Sequence, residues 1–313
     1  MNITYKFILQ GQSYIIPEKK DEVVLDVGGQ NQGFIFDHHF PNSPEDCAAK
    51  IVFNNSNRLK ELKDSKNVTI VIHNDPDFDC SCAAWLVKNY LEENCSNGRL
   101  FPKDAEWVVQ YASLVDSGKL KINSKHVLTP ATAIFAFYEL SLKKIKDREI
   151  DANDKNEWIL YRTFDLLNWC VNKLTDINID NYENIDDKSI SDRMIQSEKF
   201  GMEHQILEED RPIFESELLD KSICQTIKDF KLFNHQKTVE KVSALIYFRP
   251  SRSSLVKYWA RNDGYIFTLI PKNCDGKWDN AIWKPPGFSG RPNRVIISVP
   301  PDSNYNLKTL AIQ

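Results

Sequence analysis

Three short apolar runs, each ending in acidic or imidazole side chains, most constrain how this chain can fold. They are "EVVLDVGG" (22–29), "GFIFDHH" (33–39) and "NVTIVIHNDPDFD" (67–79). Each run is rich in β-branched or aromatic residues, which is typical of a buried strand that ends in a functional loop. The last two runs lead into helical patterns. Alternating strands and helices predict an α/β fold with a largely parallel sheet flanked by helices.

The helix signals that follow two of these runs are local. Pro44 suits the first helical position and Glu45–Asp46 suit the first turn, so we expect a helix to begin there. After Asp79, the stretch "SCAAWLVKNYLEEN" predicts a second helix with one apolar face, formed by Ala83, Ala84, Val87 and Leu91. Cys80 and Cys82 begin that helix. We interpret them as small buried residues rather than as metal ligands.

The pattern predicts three segments. Residues 1–130 contain the three runs, residues 131–241 read as a helical and acidic middle segment, and residues 242–313 read as a smaller, basic, mixed α/β domain. In the middle segment, "TPATAIFAFYELSLKKI" and "NEWILYRTFDLLNWCVNKL" predict helices, and "TDINIDNYENIDDKSISD" predicts a loop or linker. In the last segment, "SALIYF", "YIFTLI" and "RVIISV" predict strands.

The composition favours a cytoplasmic protein that does not enter a membrane. No stretch approaches the ~20 consecutive apolar residues of a membrane span, and the N-terminus does not resemble a signal peptide. The seven cysteines are scattered without a CxxC pair. An odd, scattered set is typical of free thiols in a reducing compartment.

The charge is unevenly distributed along the chain. The net charge is −4, but residues 147–220 hold 20 acidic and 8 basic residues, whereas residues 246–294 hold 9 basic and 3 acidic residues. The basic segment could meet an anionic ligand. The alternative is an ordinary solvated face.

The polar residues after the three runs suggest a metal site. In a parallel sheet, the carboxyl ends of the strands meet at one edge, where ligands bind. Carboxylate and imidazole together suit divalent metals, and the excess of oxygen ligands favours Mn²⁺ or Mg²⁺ over Zn²⁺. About four carboxylates and two imidazoles would hold two ions that share a bridging carboxylate. The candidate ligands are Asp26, His38, His73, Asp77, Asp79 and Asp116. Asp75, in the same loop as Asp77, could replace one of them.

The same residues resemble the motifs of the DHH phosphoesterase superfamily, which includes nucleases, nanoRNases and family II pyrophosphatases. "FDHH" (36–39) is similar to the motif that names the superfamily, and "HNDPDFDCSCAA" (73–84) resembles its HxxPDxD motif. "VVLDVGG" resembles the third motif, a strand-terminal aspartate. In most members HxxPDxD precedes DHH, so the reversed order here indicates a distant or permuted member.

The resemblance implies a role for each residue. His73 and Asp79 would hold one Mn²⁺ ion, and His38 and Asp77 would lie on or near the other. Asp26 would bridge the ions and Asp116 would complete their coordination. For catalysis, Asp37 would orient the neighbouring histidine, and His39 would face the phosphate of the substrate.

In the superfamily that the chain resembles, a smaller C-terminal domain grips the substrate, so the resemblance implies that the basic domain holds it here. Its candidate contacts are Arg249, Arg252, Ser253, Arg291 and Arg294, since the arginine fork suits phosphate oxygens. Aromatic residues among them, such as Trp259 and Phe267, could stack on bases, or they could simply form the domain core. We therefore expect a metal-dependent phosphodiesterase that acts on single-stranded nucleic acid or short, including cyclic, oligonucleotides.

Two alternatives stay open on the sequence alone. One is hydrolysis of pyrophosphate or polyphosphate, because "PSRSSL" (250–255) faintly resembles the phosphate clamp of family II pyrophosphatases. The other is a catalytically inactive nucleotide-binding module in a larger assembly. The helical middle segment could also mediate a homodimer or bind a protein partner.

Overall fold

The computed structural model describes residues 1–9, 21–40, 43, 45–92, 100–120, 128–180, 185–233, 239–256, 259–260, 263–272 and 294–298. The fold is mixed α/β with two sheets. Its contacts divide the chain into two compact units, the first comprising Met1–Leu120 and Leu128–Glu203 and the second comprising the chain from His204 onward.

The first unit contains a five-stranded sheet with the strand order β1-β5-β2-β4-β3. The strands are β1 (Asn2–Ile8), β2 (Glu22–Leu25), β3 (Asn31–Gln32), β4 (Ile35–Phe36) and β5 (Asn67–His73). Every neighbouring pair is parallel except β3 and β4 at one edge. All three predicted strands are present, and the prediction of a largely parallel sheet is confirmed.

The described part of this unit also contains six α-helices. They are α1 (Ala48–Asn54), α2 (Phe78–Leu91), α3 (Ala105–Asp116), α4 (Pro130–Lys146), α5 (Lys155–Lys173) and α6 (Asp187–Gln196), with short 3₁₀ helices at Ser56–Asp64 and Ala152–Asp154. Helix α2 packs against α1, α3 and α5 and is buried on almost every side. The single apolar face predicted for α2 was therefore too narrow, because an all-round apolar helix belongs in the interior.

Two predicted boundaries were wrong. Helix α1 begins at Ala48 with Cys47 as its N-cap, after Glu45–Asp46, and Pro44 lies outside the described residues. The stretch predicted as a linker (175–192) contains the first part of α6, whose N-cap Asp186 accepts a hydrogen bond from the Ser189 amide at 2.9 Å. Ile190 and Met194, four residues apart, are the buried stripe that fixes this short helix.

The second unit contains most of α7 (Gly201–Leu219) and a four-stranded sheet with the order β6-β7-β8-β9. Its strands are β6 (Cys224–Phe233), β7 (Val239–Tyr247), β8 (Phe267–Lys272) and β9 (Arg294–Ser298). The pairs β6–β7 and β8–β9 are antiparallel and β7–β8 is parallel. Buried residues of β7 and β8, namely Val242, Ala244, Phe267 and Leu269, form a hydrophobic cluster of this sheet.

The three strands predicted in the last segment are therefore present, whereas β6 corrects the expectation that the chain stays helical up to Lys241. Its polar sequence resembles a surface helix, but it pairs with β7 from Cys224 opposite Tyr247 to Phe233 opposite Val239. Tertiary pairing overrides local propensity here.

Within the described part of the chain, no helix is long and apolar enough to cross a lipid bilayer. The cysteines of that part are all free and buried: Cys47, Cys80, Cys82, Cys170 and Cys224.

Candidate metal centre

The polar residues that follow β5, β2 and β4 meet at one edge of the first sheet. These strands are neighbours and run parallel, so their carboxyl ends lie side by side. His73 is the last residue of β5, Asp26 follows β2, and Asp37, His38 and His39 follow β4. The predicted convergence of the three runs is confirmed.

Asp26 lies at the centre of this edge, between two imidazoles. Its Oδ1 is 3.2 Å from His38 Nε2, and its Oδ2 is 3.2 Å from His73 Nε2. The residue is 3% exposed and its φ is 58°, in the left-handed region that few residues other than glycine, asparagine and aspartate adopt. Backbone strain of this kind, of about 1–3 kcal/mol, is concentrated at functional sites.

His38 forms a first group with two further carboxylates. Its Nε2 lies 3.3 Å from Oδ2 of Asp116, the last residue of α3, and 3.9 Å from Oδ2 of Asp79 in the first turn of α2. The Asp79 carboxylate is buried, and it also accepts hydrogen bonds from the amides of Ala48 and Ala49 at 2.7 and 2.8 Å. Asp79 therefore both faces His38 and satisfies the N-terminus of α1.

His73 forms a second group on the other side of Asp26. Its Nδ1 donates to the Asn74 carbonyl at 2.9 Å, because a carbonyl can only accept. Its Nε2 lies 3.7 Å from Oδ2 of Asp77, whose other oxygen caps α2 by accepting from the Cys80 amide at 3.0 Å. The Cys80 side chain belongs to the same group.

The pairing of the two aspartates in this loop differs from the one that the resemblance implied. Asp77 lies beside His73, and Asp79 lies beside His38, rather than the reverse. The reason is helical geometry, since two residues separated by two positions at the start of a helix point about 200° apart around its axis.

His39 is oriented by Asp37, as expected. Oδ1 of Asp37 accepts from His39 Nδ1 at 2.8 Å and from the His39 amide at 3.0 Å, and Oδ2 accepts from the Gly29 amide at 2.6 Å. The His39 side chain is 52% exposed, whereas that of Asp37 is 1% exposed. Because Nδ1 faces Asp37, Nε2 lies on the opposite side of the ring.

The pKa values show how strongly these groups interact. Burial would raise the pKa of Asp26, but the neighbouring His38 and His73 lower it to about 2. Burial would lower the pKa of His38, but Asp26, Asp116 and Asp79 raise it to about 9. Burial and the charge of Asp77 raise the pKa of Asp116 to about 7. The carboxylates of the cluster repel one another, and a cation between them relieves that repulsion.

The donor set fits a metal. Among the described residues, Asp26 Oδ1 and His38 Nε2 are buried without a hydrogen-bond partner, although they lie 3.2 Å apart. Three groups of side chains bring their ligand atoms within 4.8 Å of one another: Asp26 with His38 and His39, Asp26 with His73 and Cys80, and His38 with Asp79 and Asp116. Adjacent ligand atoms of an octahedral ion with 2.1 Å bonds are about 3 Å apart. These buried groups could therefore hold a metal ion.

Neighbouring elements hold the ligand-bearing loops in place. Arg58 donates to Asn31 Oδ1 and to the carbonyls of Gly33 and Ile35, at 2.5 to 2.7 Å, and so fixes the β3–β4 hairpin that precedes His38.

The loop after β5 is tied to the start of α5. Asn156 accepts from the Asp75 amide at 3.0 Å and donates to Asn74 Oδ1 at 3.2 Å, and Lys155 pairs with Asp75 at 2.7 Å. The Asp75 carboxylate is thus bound to Lys155 rather than to the cluster.

The predicted substrate contacts of the second unit have different positions. Arg249 and Arg252 are exposed. Arg294 is the first residue of β9, and Arg291 lies outside the described residues. The prediction for Ser253 was wrong, because this residue is 2% exposed and its hydroxyl donates to Asp210 at 2.6 Å. It holds the loop against α7 and does not face a ligand.

The same loop uses most of its polar groups internally. Asp210 also accepts from the Ser254 amide at 2.8 Å and from the Trp259 indole at 2.7 Å. Glu217 accepts from the Ser251 hydroxyl at 2.5 Å and from the Arg252 amide at 2.7 Å. Trp259 and Phe267 are buried, so both are core residues rather than stacking surfaces.

A separate cavity of about 860 Å³ lies in the first unit, near the start of α3. Phe53, Phe101, Trp107 and residues 175–180 contribute to its lining, and none of the centre's ligand candidates does. The cavity is therefore separate from the candidate metal centre.

Compared with known protein families, curated proteins and solved structures, the chain matches none of them. The site is therefore interpreted from its own geometry. The predicted burial of Cys80 is confirmed, and its side chain also belongs to one of the three groups that could hold a metal, which the sequence interpretation did not include. The available signal was its position one residue after the last aspartate of the loop, in the first turn of α2.

Proposed function

We propose that the protein is a metal-dependent phosphodiesterase that hydrolyses single-stranded nucleic acid or short oligonucleotides. The observation that carries the proposal is the convergence of three carboxylates and two imidazoles around Asp26, with two buried ligand atoms that have no hydrogen-bond partner in the described part of the chain. Asp26 lies 3.2 Å from both His38 and His73, which supports the proposal that its carboxylate is shared by two ions. Mn²⁺ is the proposed metal, with Mg²⁺ as the alternative.

Each residue would contribute a defined task. His38, Asp79 and Asp116 would hold one ion, His73 and Asp77 would hold the other, and Asp26 would join them. Bound divalent ions would supply Lewis acidity and an activated water at neutral pH. The remaining work belongs to side chains that bind and orient the substrate.

His39 is the proposed contact to the phosphate. The hydrogen bond that Nδ1 of His39 donates to Asp37 raises the pKa of His39, which favours the protonated ring. A half-exposed imidazolium whose Nδ1 is held by Asp37 can donate from Nε2 to a phosphoryl oxygen. Asp37 would then be a positioning residue, because it acts through His39.

The loop at residues 251–254 favours this proposal over pyrophosphate hydrolysis. Its serine hydroxyls and backbone amides already bond to Asp210 and Glu217, so they are not free to form a phosphate clamp. Arg249 and Arg252 are exposed and could still meet a longer anionic chain.

The test uses purified protein, stripped of metal and reloaded with Mn²⁺, and a single-stranded oligonucleotide labelled at its 5′ end. Pyrophosphate is assayed in parallel. We expect a ladder of shortened products or released mononucleotides. Asp77→Asn should reduce the rate at least about 100-fold, since even changes outside the ligand set cost 10–100-fold.

Asp75→Asn is the matched control, because it changes a carboxylate in the same loop that pairs with Lys155 and not with His73. It should leave the rate within about threefold of the wild type. Phosphate release from pyrophosphate with an intact oligonucleotide would overturn the proposal in favour of a pyrophosphatase. Inactivity on both substrates with metal bound would favour a binding module.

A further inference from the structure

Cys80 is placed as a ligand would be placed. It lies in the first turn of α2, and its side chain, with those of Asp26 and His73, offers ligand atoms that all lie within 4.8 Å of one another. The exposed fractions of the three residues are 0%, 3% and 1%. A buried cluster of sulfur, nitrogen and oxygen donors at the end of a strand differs from ordinary packing of a cysteine in a core.

The hydrogen bond from Nδ1 of His73 to the Asn74 carbonyl directs Nε2 into this cluster. Since Nδ1 donates to the Asn74 carbonyl, the neutral ring has its lone pair on Nε2. Nε2 lies 3.2 Å from Oδ2 of Asp26, to which it donates a hydrogen bond when it is protonated, and 3.7 Å from Oδ2 of Asp77. When a cation displaces that proton, the lone pair of Nε2 and both carboxylate oxygens can turn to the metal.

Asp26 supplies an independent indication of a ligand. Its Oδ1 is buried and has no hydrogen-bond partner among the described residues. The other oxygen of the same carboxylate faces His73, so Asp26 spans both halves of the centre.

The donors of the two halves differ in chemical softness. The half around His38 adds the carboxylates of Asp79 and Asp116 and the imidazole of His39 but no sulfur, which suits a hard ion such as Mn²⁺. The half around His73 adds a sulfur. Thiolate with imidazole and carboxylate is typical of Zn²⁺ and of Co²⁺, which often substitutes for it.

We propose that Cys80 is a metal ligand and that the Asp26–His73–Cys80 half of the centre takes a thiophilic divalent cation, Zn²⁺ in the first instance. The His38 half keeps the hard ion, so the loaded centre contains two different metals. The inference rests on the proposed function only in requiring that the centre binds metal. Binding replaces the thiol proton of Cys80, and the Nε2 proton of His73 when the ring carries one, with the metal, and these protons are released to solvent.

The test is a titration of metal-free protein with Co²⁺, followed by absorption spectroscopy. Wild-type protein should develop a thiolate-to-cobalt charge-transfer band in the near ultraviolet as the first equivalent binds. Cys80→Ser should lose that band and should bind Zn²⁺ about 100-fold more weakly, as expected for the loss of a ligand.

Cys82→Ser is the matched control, since Cys82 is equally buried in the same helix and belongs to none of the three ligand groups. It should retain both the band and the affinity. A band that persists in Cys80→Ser, or that is absent from wild-type protein carrying stoichiometric Co²⁺, would overturn the proposal.

A second measurement needs no variant. X-ray absorption of wild-type protein loaded with one equivalent of Zn²⁺ should show one sulfur at about 2.3 Å. A shell of oxygen and nitrogen alone would overturn the inference, even if Cys80→Ser failed to fold. A cobalt–sulfur band without oligonucleotide hydrolysis would support the Cys80 assignment while contradicting the proposed phosphodiesterase.

Discussion

At the scale of single residues, Asp26 shows how the centre combines strain and charge. It adopts a left-handed backbone conformation directly after β2, and its buried carboxylate lies between His38 and His73. Aspartate tolerates this conformation better than most residues because its short polar side chain can form local hydrogen bonds there. An alanine at this position would lose both the charge and that tolerance, so asparagine is the better substitution for testing ligation.

The metal-free centre should make stability depend on pH. The pKa of His38 is raised to about 9. The stability that this histidine contributes to the fold is therefore fully present below pH 6.5, its ordinary pKa, and is lost as the pH rises towards 9. The pKa of Asp116 is raised to about 7, so the charging of this carboxyl also costs stability as pH rises. Asp26 has the opposite shift, but it titrates near pH 2 and does not contribute in this range.

We therefore expect chelated protein to be less stable at pH 9 than at pH 6.5, by on the order of 2 kcal/mol. Urea unfolding at both pH values measures the difference. His38→Asn should reduce this difference in stability between the two pH values. Saturating Mn²⁺ should reverse its sign, because the metal binds the deprotonated ligands and so stabilises the protein more at pH 9. Equal stability at both pH values in the chelated wild type would contradict the prediction.

At the scale of elements, the first turn of α5 supports the ligand loop. Asn156 bonds to the Asp75 amide and to the Asn74 side chain, and Asn74 in turn accepts from His73 through its carbonyl. The ring orientation of His73 thus depends on a helix that begins at Lys155, far along the chain. Outer contacts of this kind orient metal ligands and are part of the site.

Asn156→Ala should weaken binding of the metal near His73 about tenfold, with little loss of stability. Asn172→Ala is the control, because Asn172 lies on the same helix and bonds only locally to the Asn168 carbonyl. Competition of each variant with a metal indicator measures the affinity. Equal affinities for the two variants would show that the loop holds its shape without α5.

The elements also show what local sequence could and could not predict. The strands that end at Asp26 and His73 were predictable, because their apolar runs and polar ends reflect local chemistry. The start of α1 was not, because its first amides are satisfied by Asp79, which lies 30 residues away in sequence. Strand β6 was not predictable either, since only its pairing with β7 makes a polar stretch extended.

The proximity of Cys80 to Asp26 could not be predicted from the local sequence either. It depends on β2 and β5 being neighbours, and the order of strands is a long-range property of the sheet. Sequence reasoning found the residues that converge, but it paired Asp77 and Asp79 with the wrong histidines.

At the scale of the whole molecule, the chain divides into two compact units, and the second has its own buried polar anchor. Asp210 of α7 accepts hydrogen bonds from the hydroxyl of Ser253, the amide and hydroxyl of Ser254 and the indole of Trp259. Four donors on one buried carboxylate fix the loop after β7 to the helix.

Asp210→Asn should destabilise the second unit by about 2–4 kcal/mol, because charge-assisted hydrogen bonds contribute about 1.5–3 kcal/mol and an amide nitrogen would face donors. Glu209→Gln, at an exposed neighbouring position, should change stability by less than about 0.5 kcal/mol. Urea unfolding followed by circular dichroism measures both. A change below 1 kcal/mol in Asp210→Asn would show that the loop is held by other contacts.

The double engagement of Asp79 affects how mutagenesis of the centre can be interpreted. Its carboxylate faces His38 and also accepts hydrogen bonds from the amides of Ala48 and Ala49 at the start of α1. Removing it would leave two buried amides without an acceptor, so an Asp79 variant would lose a helix anchor together with a ligand. Loss of activity in that variant would not distinguish the two roles. Substitution of Asp116, the last residue of α3, is the better test of ligation in the same half of the centre.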